Sequence, residues 1–369
     1  MLFPTQEVGS LKRAPFIGKD PARASQLAEY WGEKLGVPGF RDFADSLRLG
    51  SATHSDTIDW ACIYGLRFFE SAGIGLIYDG EQRRTEMYEY PVSFIQGFEF
   101  RGVVKVWDNE FYRKAAVTSK PRLRSEYHLG EFLFNKQHTQ LPLKVPVTGP
   151  YTLADWSFDE FYARRDLGPD PLHARREAKR EFVLDLASEV VRPNLRSLVE
   201  SGAQFIQLDE PAAAAKSDET DIFVESFNEA TRGLNAEFQA HICYTNYANL
   251  FPALLDLRAS VVSISCSNTD TKLLGLSAEA RRGFSVLSVF RENNIDFKVA
   301  PGVVDVHTDY IEAPELVRDR LLYSAKLLGD PSKVVACNDC GLRTRSWEVA
   351  YQKQLSLSLG AALARQTYG

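Results

Sequence analysis

The second half of the chain alternates short runs of β-branched and aromatic residues with longer stretches whose apolar positions recur at helical spacing. This is the pattern of parallel strands joined by crossover helices. Strands are predicted at Phe205–Leu208, Phe238–Ile242, Val261–Ile264, Phe297–Pro301 and Val334–Ala336. A long helix from Arg175 to Ser201, stopping at Gly202, precedes them, and further helices are predicted over Phe223–Leu234, Ala248–Leu257, Ser277–Asn293, Pro314–Leu328 and Ser346–Arg365. The first half is less regular. Ile74–Tyr78 and Leu143–Val147 read as strands that each run into a glycine-containing turn, and Val8–Ser10 ends another. About eight strands suit an α/β fold of the (β/α)8 TIM-barrel class, a unit of ~250 residues plus insertions. Residues 1–369 are therefore read as one domain, with an insertion around 92–140 in which Val92–Val106 forms an antiparallel excursion. A doubly wound open sheet is the alternative, but the Gly-rich phosphate turn that usually follows its first strand is missing.

Composition narrows the function classes. A hydrophobic fraction of 44% and a charged fraction of 25% are those of an ordinary globular protein, and the net charge of −6 argues against a nucleic-acid partner. The basic residues between Arg175 and Arg180 alternate with Glu177 at helical spacing and read as a solvated helix face. No window approaches the ~18 uncharged apolar residues of a membrane span. The opening MLFPTQEVGSLKR lacks the basic start, apolar stretch and cleavage site of a secretory signal, so a cytoplasmic protein without membrane contact is expected. Five cysteines, four of them from Cys243 onward, do not make a disulfide framework and point instead to metal binding or thiol chemistry.

The chemistry-bearing residues gather at strand ends. In Ala240-His241-Ile242-Cys243-Tyr244, alternation along the strand turns His241 and Cys243 to one side, where an imidazole and a thiolate can reach one tetrahedral Zn²⁺. In Asn338-Asp339-Cys340-Gly341, Gly341 permits a tight turn and Cys340 projects from the same rim. Cys337 completes a C-x-x-C, but a zinc ribbon needs a second pair, so Cys337 reads as a core residue ending its strand. Asp209 and Glu210 follow a strand and suit either a cationic amine or a helix cap. Glu81 repeats that placement, as does Asp305-Val306-His307. In a barrel the loops after the strands form the active face, and metal ligands, carboxylates and a histidine collect there.

The segments TQEVGS, YDGEQRRTEMYEY, TGPYTLADWSF, IQLDEPA, HICYTNY, GVVDVHT and NDCGLRTR run in order from Thr5 to Arg345. Together they resemble the carboxy-terminal catalytic barrel of cobalamin-independent methionine synthase, in the short single-barrel form of archaea and some bacteria. That resemblance implies a zinc-dependent methyltransferase acting on the thiol of homocysteine to give methionine. It makes His241, Cys243 and Cys340 the zinc ligands, gives Gly9, Ser10, Glu81 and Asp209 to the amino-acid part of homocysteine, and implies that His307 carries a proton. Trp156 corresponds to the aromatic residue that faces the pterin of the methyl donor. Ser265 stands where the family has a fourth, glutamate ligand, which leaves that position to water, with Cys266 or Cys337 as the alternatives.

Zinc coordination deprotonates a thiol whose free pKa is ~8.5, and an open position admits the substrate sulfur. Zinc is the one cofactor expected. The donor is a methyltetrahydrofolate, a methylcorrinoid or a methylated corrinoid protein. Two rival readings are another zinc-dependent thiol alkyltransferase of the superfamily, such as an epoxide:coenzyme M transferase, and a non-catalytic accessory subunit. Glu81 and Asp209 argue against the first, because a sulfonate thiol has no ammonium, and the retained His241, Cys243 and Cys340 argue against the second.

Overall fold

The computed structural model describes residues 1–105, 111–163 and 169–368. The fold is mixed α/β, built on a curled, half-barrel parallel sheet. Nine strands are described: β1 (Ile95–Lys105), β2 (Phe111–Leu123), β3 (Lys144–Thr148), β4 (Phe158–Asp159), β5 (Phe205–Asp209), β6 (Glu237–Ile242), β7 (Val261–Ile264), β8 (Lys298–Val304) and β9 (Cys337–Asn338). The six-stranded sheet runs β3-β5-β6-β7-β8-β9, so spatial order follows chain order, as crossover connections require. Every described residue of β3 and β7 is buried, which explains why these strands read as apolar runs rather than alternating ones. The expected strand Leu143–Val147 appears as β3, while parallel bridges Thr5↔Ala336, Gln6↔Leu76 and Ile77↔Leu143 mark the expected strand Ile74–Tyr78 and the one ahead of Val8–Ser10, each reduced to one or two paired residues.

The chain groups into two compact units. The first comprises Met1–Arg83, Phe134–Lys144 and Ser263–Gly369. Its helices begin and end on local signals. Asp20 caps the helix Pro21–Leu35, which closes on Gly36 in the left-handed region, and Thr53 and Asp56 form a capping box on His54–Ser71. Trp347 and Tyr351 pack edge to face on Trp31 and Phe68 with centroids 5.1–6.2 Å apart, seating the terminal helix Trp347–Tyr368. The second unit comprises Arg84–Leu133 and Val145–Val262. It holds the antiparallel hairpin of β1 and β2, with β4 added to β2, in the region predicted as an insertion. Val106 lies outside the described residues.

The helix Pro314–Leu328 has the predicted bounds, set by proline in its first turn and Gly329 at φ 77°. The helix expected to run unbroken from Arg175 to Ser201 is instead Pro171–Leu186, a π turn at Ala187–Val191, and Arg192–Glu200. Pro193 lacks the N–H and crowds the preceding turn, and the widened π turn accommodates it. The helix expected over Ser277–Asn293 survives only at Leu287–Glu292. Two tertiary constraints override its periodicity. The buried Arg281 guanidinium sits 3.1 Å from Asp270, and a Cβ on Gly283 would stand 2.7 Å from the Asp270 nitrogen.

No helix among the described residues is long and apolar enough to cross a membrane.

Gly65 presses the helix His54–Ser71 onto the chain at Asp79, where an added Cβ would lie 2.9 Å from the Asp79 carbonyl carbon. Gly65→Ala is expected to cost about 1–3 kcal/mol, the usual penalty of overpacking. A lowered midpoint in urea denaturation checks this, and an unchanged midpoint would show that the helix can back away from Asp79.

Candidate active site

β5 and β6 pair in parallel with Asp209 opposite His241, so a half-buried carboxylate and a buried imidazole leave the sheet side by side. Gln207 fixes the carboxylate by donating from Nε2 to Asp209 Oδ1 at 2.7 Å. His241 lies one residue before the end of β6 and Cys243 one residue past it. The chain then turns through Tyr244 at φ 56°.

The ligand atoms of His241, Cys243 and Cys340 lie within 4.8 Å of one another. A tetrahedral ion with one nitrogen bond of ~2.0–2.1 Å and two sulfur bonds of ~2.3 Å brings its ligand atoms to roughly 3.5–4 Å, so small side-chain adjustments suffice. Two thiolates and an imidazole suit a borderline-soft divalent metal. Cys337 behaves as the core residue expected. It is fully buried, its thiol donates to the Ala300 carbonyl at 3.2 Å, and burial pushes its pKa up to about 12. Cys266 is also fully buried, which likewise raises its pKa.

Asp339, beside Cys340, carries no local spacing signal of its role. Its buried carboxylate accepts N–H bonds from Cys266 (2.7 Å), Ser267 (3.0 Å) and Asn268 (2.7 Å), and a hydroxyl bond from Ser267 at 2.7 Å. Its own N–H donates to the Val304 carbonyl at 3.0 Å. Desolvation pushes its pKa up to about 7 despite these donors. A Cβ at Gly302 would come within 2.5 Å of the Asp339 Cα, so only glycine fits there. Ser265, in the position of the family glutamate, donates its hydroxyl to the Asp339 carbonyl at 2.8 Å.

The segments carrying Ser10, Glu81 and Cys340 are stitched together through the backbone. Leu11 N–H donates to the Gly80 carbonyl at 3.0 Å, and Leu342 N–H donates to the Ser10 carbonyl at 2.7 Å. Gly9 is buried beside half-buried Ser10. A Cβ on Gly341 would stand 3.2 Å from the Ser10 carbonyl oxygen and nearer still to its hydroxyl, and one on Gly80 2.5 Å from the Leu11 side chain. Glu81 sits at φ 61°, which costs a non-glycine residue about 1–3 kcal/mol, with its N–H held by Asp79 Oδ1 at 2.8 Å. Such conformations cluster at functional sites.

Glu210 resolves as a cap rather than an amine site. Its fully buried carboxylate accepts the N–H groups of Tyr151 (3.1 Å) and Thr152 (2.7 Å) in the first turn of the helix Pro150–Asp155. Trp156, at the end of that helix, stacks on Tyr112 of the hairpin with centroids 5.8 Å apart. His307 is exposed in the loop after β8, and its N–H donates to Asp305 Oδ1 at 2.8 Å.

The family profile described as "Cobalamin-independent synthase, Catalytic domain" matches residues 37–363. The chain belongs to this family. Among its relatives, the methionine synthase of Thermoplasma acidophilum is 35% identical over 356 residues, covering 95% of this chain and 94% of the relative. That of Thermococcus kodakarensis is 33% identical over 351 residues, covering 95% and 92%. The solved structure of a B12-independent methionine synthase from Shewanella sp. W3-18-1, in complex with selenomethionine, superposes with a TM-score of 0.74. It covers 100% of this chain and 99% of its own at 23% identity, which shows a shared fold.

Burial pushes the Glu210 pKa up to about 8, above its ordinary 4.5. The folded protein therefore retains a proton that the unfolded chain has released, so this group's contribution to stability falls as pH rises from about 4.5 to about 8. Glu210→Gln, which cannot titrate, should flatten that decline. Urea denaturation across this range checks it, and an equally steep decline in the variant would assign the slope to other groups.

Proposed function

We propose that the protein is a zinc-dependent methyltransferase that transfers a methyl group to the thiol of homocysteine, forming methionine. The observation that carries this reading is the convergence of His241, Cys243 and Cys340 in a chain of this family. When bound, zinc would supply the Lewis acidity that keeps a thiol ionised near neutral pH. Glu81 and Asp209 bind the substrate ammonium, and the Gly9-Ser10 segment seats the amino-acid end, so that the sulfur is presented at a fixed angle. Support for this role comes from the strained backbone of Glu81 and from the Gln207 contact that orients Asp209. Trp156 offers a flat face to the donor, braced from behind by Tyr112. His307, exposed on its loop, carries the proton that leaves or joins the donor.

Ser265 keeps its hydroxyl on the Asp339 carbonyl, so zinc would be held by His241, Cys243 and Cys340 with room left for water or the substrate sulfur. The donor is a methylfolate, a methylcorrinoid or a methylated corrinoid protein. The whole chain acts as one catalytic domain on a closed eight-stranded barrel. Support for closure comes from the bridges at Thr5, Gln6, Leu76, Ile77, Leu143 and Ala336, which supply the two strands that the six-stranded sheet lacks.

Two measurements test the reading. Metal analysis should find one zinc per chain in the native protein and a large loss in Cys340→Ser, and equal contents would remove Cys340 from the ligand set. Incubation of the zinc-loaded protein with homocysteine and each donor class in turn should yield methionine with one of them. A failure with all three would overturn the proposed reaction.

A further inference from the structure

Three charged side chains of the first unit are buried and take no part in the reaction as described. They are Glu312, Arg320 and Lys353, none more than 2% exposed. Arg320 lies in the helix Pro314–Leu328 and Lys353 in the terminal helix Trp347–Tyr368, while Glu312 lies in the segment between β8 and the first of these helices. A buried ion pair contributes little stability beyond what apolar side chains of the same size would give, because desolvation offsets its attraction. Its use is therefore to be sought in what it fixes in place.

What this group fixes is the loop that displays His307. Glu312 Oε2 accepts from Lys353 Nζ at 2.9 Å, and Oε1 accepts the Asp305 N–H at 2.9 Å with the Arg320 guanidinium 3.8 Å away. Lys353 Nζ also donates to the Tyr310 carbonyl. One carboxylate thus closes the segment from Asp305 to Glu312 into a ring, and one ammonium ties that ring to the terminal helix. Inside it, Asp305 Oδ1 accepts the His307 N–H at 2.8 Å. His307 is exposed, whereas its neighbour Val306 is buried. Two further contacts set this loop against the one bearing Cys340. Asp339 N–H donates to the Val304 carbonyl at 3.0 Å, and Arg345 pairs with Asp309.

We propose that Glu312 and Lys353 are positioning residues for the methyl transfer, holding the loop so that His307 meets the proton it carries. This inference rests on the role given to His307 in the proposed reaction and deepens it. Both residues are buried, so they act through the loop alone. A general acid or base works only within hydrogen-bond reach of the atom it serves, and an exposed imidazole on an untied loop would spend most of its time elsewhere. Displacement of such a group by ~1 Å is enough to cost about a hundredfold in rate.

Lys353→Met alone would leave the Glu312 charge buried without its partner and threaten the fold, so the test uses Glu312→Leu/Lys353→Met, which removes both charges at similar volume. By hydrogen exchange, peptides spanning residues 303–312 should exchange at least about tenfold faster in this double variant, with zinc content and homocysteine affinity kept within about twofold of the wild type. Turnover is then followed with homocysteine and whichever of methyltetrahydrofolate, methylcobalamin or a methylated corrinoid protein yields methionine. The double variant should lose about tenfold to a hundredfold in kcat, with KM for homocysteine changed by less than about twofold. Added to His307→Gln, the same two substitutions should cost less than about twofold more, since an absent imidazole cannot be misplaced. Unchanged exchange in the double variant, or losses that multiply in the triple variant, would overturn the positioning role while leaving the methyl transfer intact. An undiminished kcat in His307→Gln would remove His307 from the reaction and this inference with it. No methionine from the wild type with any of the three donors would overturn both the reaction and the inference.

Discussion

The buried carboxylate of Asp339 organises much of what surrounds Cys340. Removing a carboxylate from water costs several kcal/mol unless hydrogen bonds replace its hydration. Here three backbone N–H groups and one hydroxyl do so, all from the segment that follows β7. The result is a rigid tie between the loop after β7 and the loop after β9, the second of which presents Cys340. Gly302 permits the tie by lacking a side chain where Asp339 must sit. Ser265 adds a further bond to the same residue, so its hydroxyl serves the placement of the Cys340 loop. Glu210 repeats the device with two donors from the helix Pro150–Asp155. In both cases an acidic residue at a strand end is consumed in holding a neighbouring loop.

Those two carboxylates also mark the limit of what the sequence discloses. His241 and Cys243 were legible because alternation along a strand is a local rule, and Cys340 because it follows a strand end beside a glycine. The contacts of Asp339 and Glu210 join residues 71 to 73 and 58 to 59 positions apart, and no local spacing announces them. Local spacing therefore leaves Glu210 open between amine binding and capping, and it says nothing of Asp339. A second signal was available for Asp339, since an acid immediately before a candidate metal ligand is well placed to steady it.

The same division applies to the fold. The helix Pro314–Leu328 and the strand Val261–Ile264 appear with their predicted bounds because each is punctuated or composed unambiguously. The stretch Ser277–Asn293 has helical periodicity, yet the ion pair of Arg281 with Asp270 and the close seat of Gly283 hold most of it in another path. Ile74–Tyr78 reads as a strand from its pattern, yet it and the stretch near Gln6 pair only through isolated bridges.

Glu81 carries a consequence for how such a protein can change over generations. A left-handed backbone at a glutamate is a standing cost that glycine would remove, since glycine adopts that conformation freely. Pressure for thermal robustness alone would push this position toward glycine and discard the carboxylate in doing so. With the substrate role proposed for Glu81, the conformation sets robustness and chemistry against each other at one codon, and the lost stability has to be recovered at other positions.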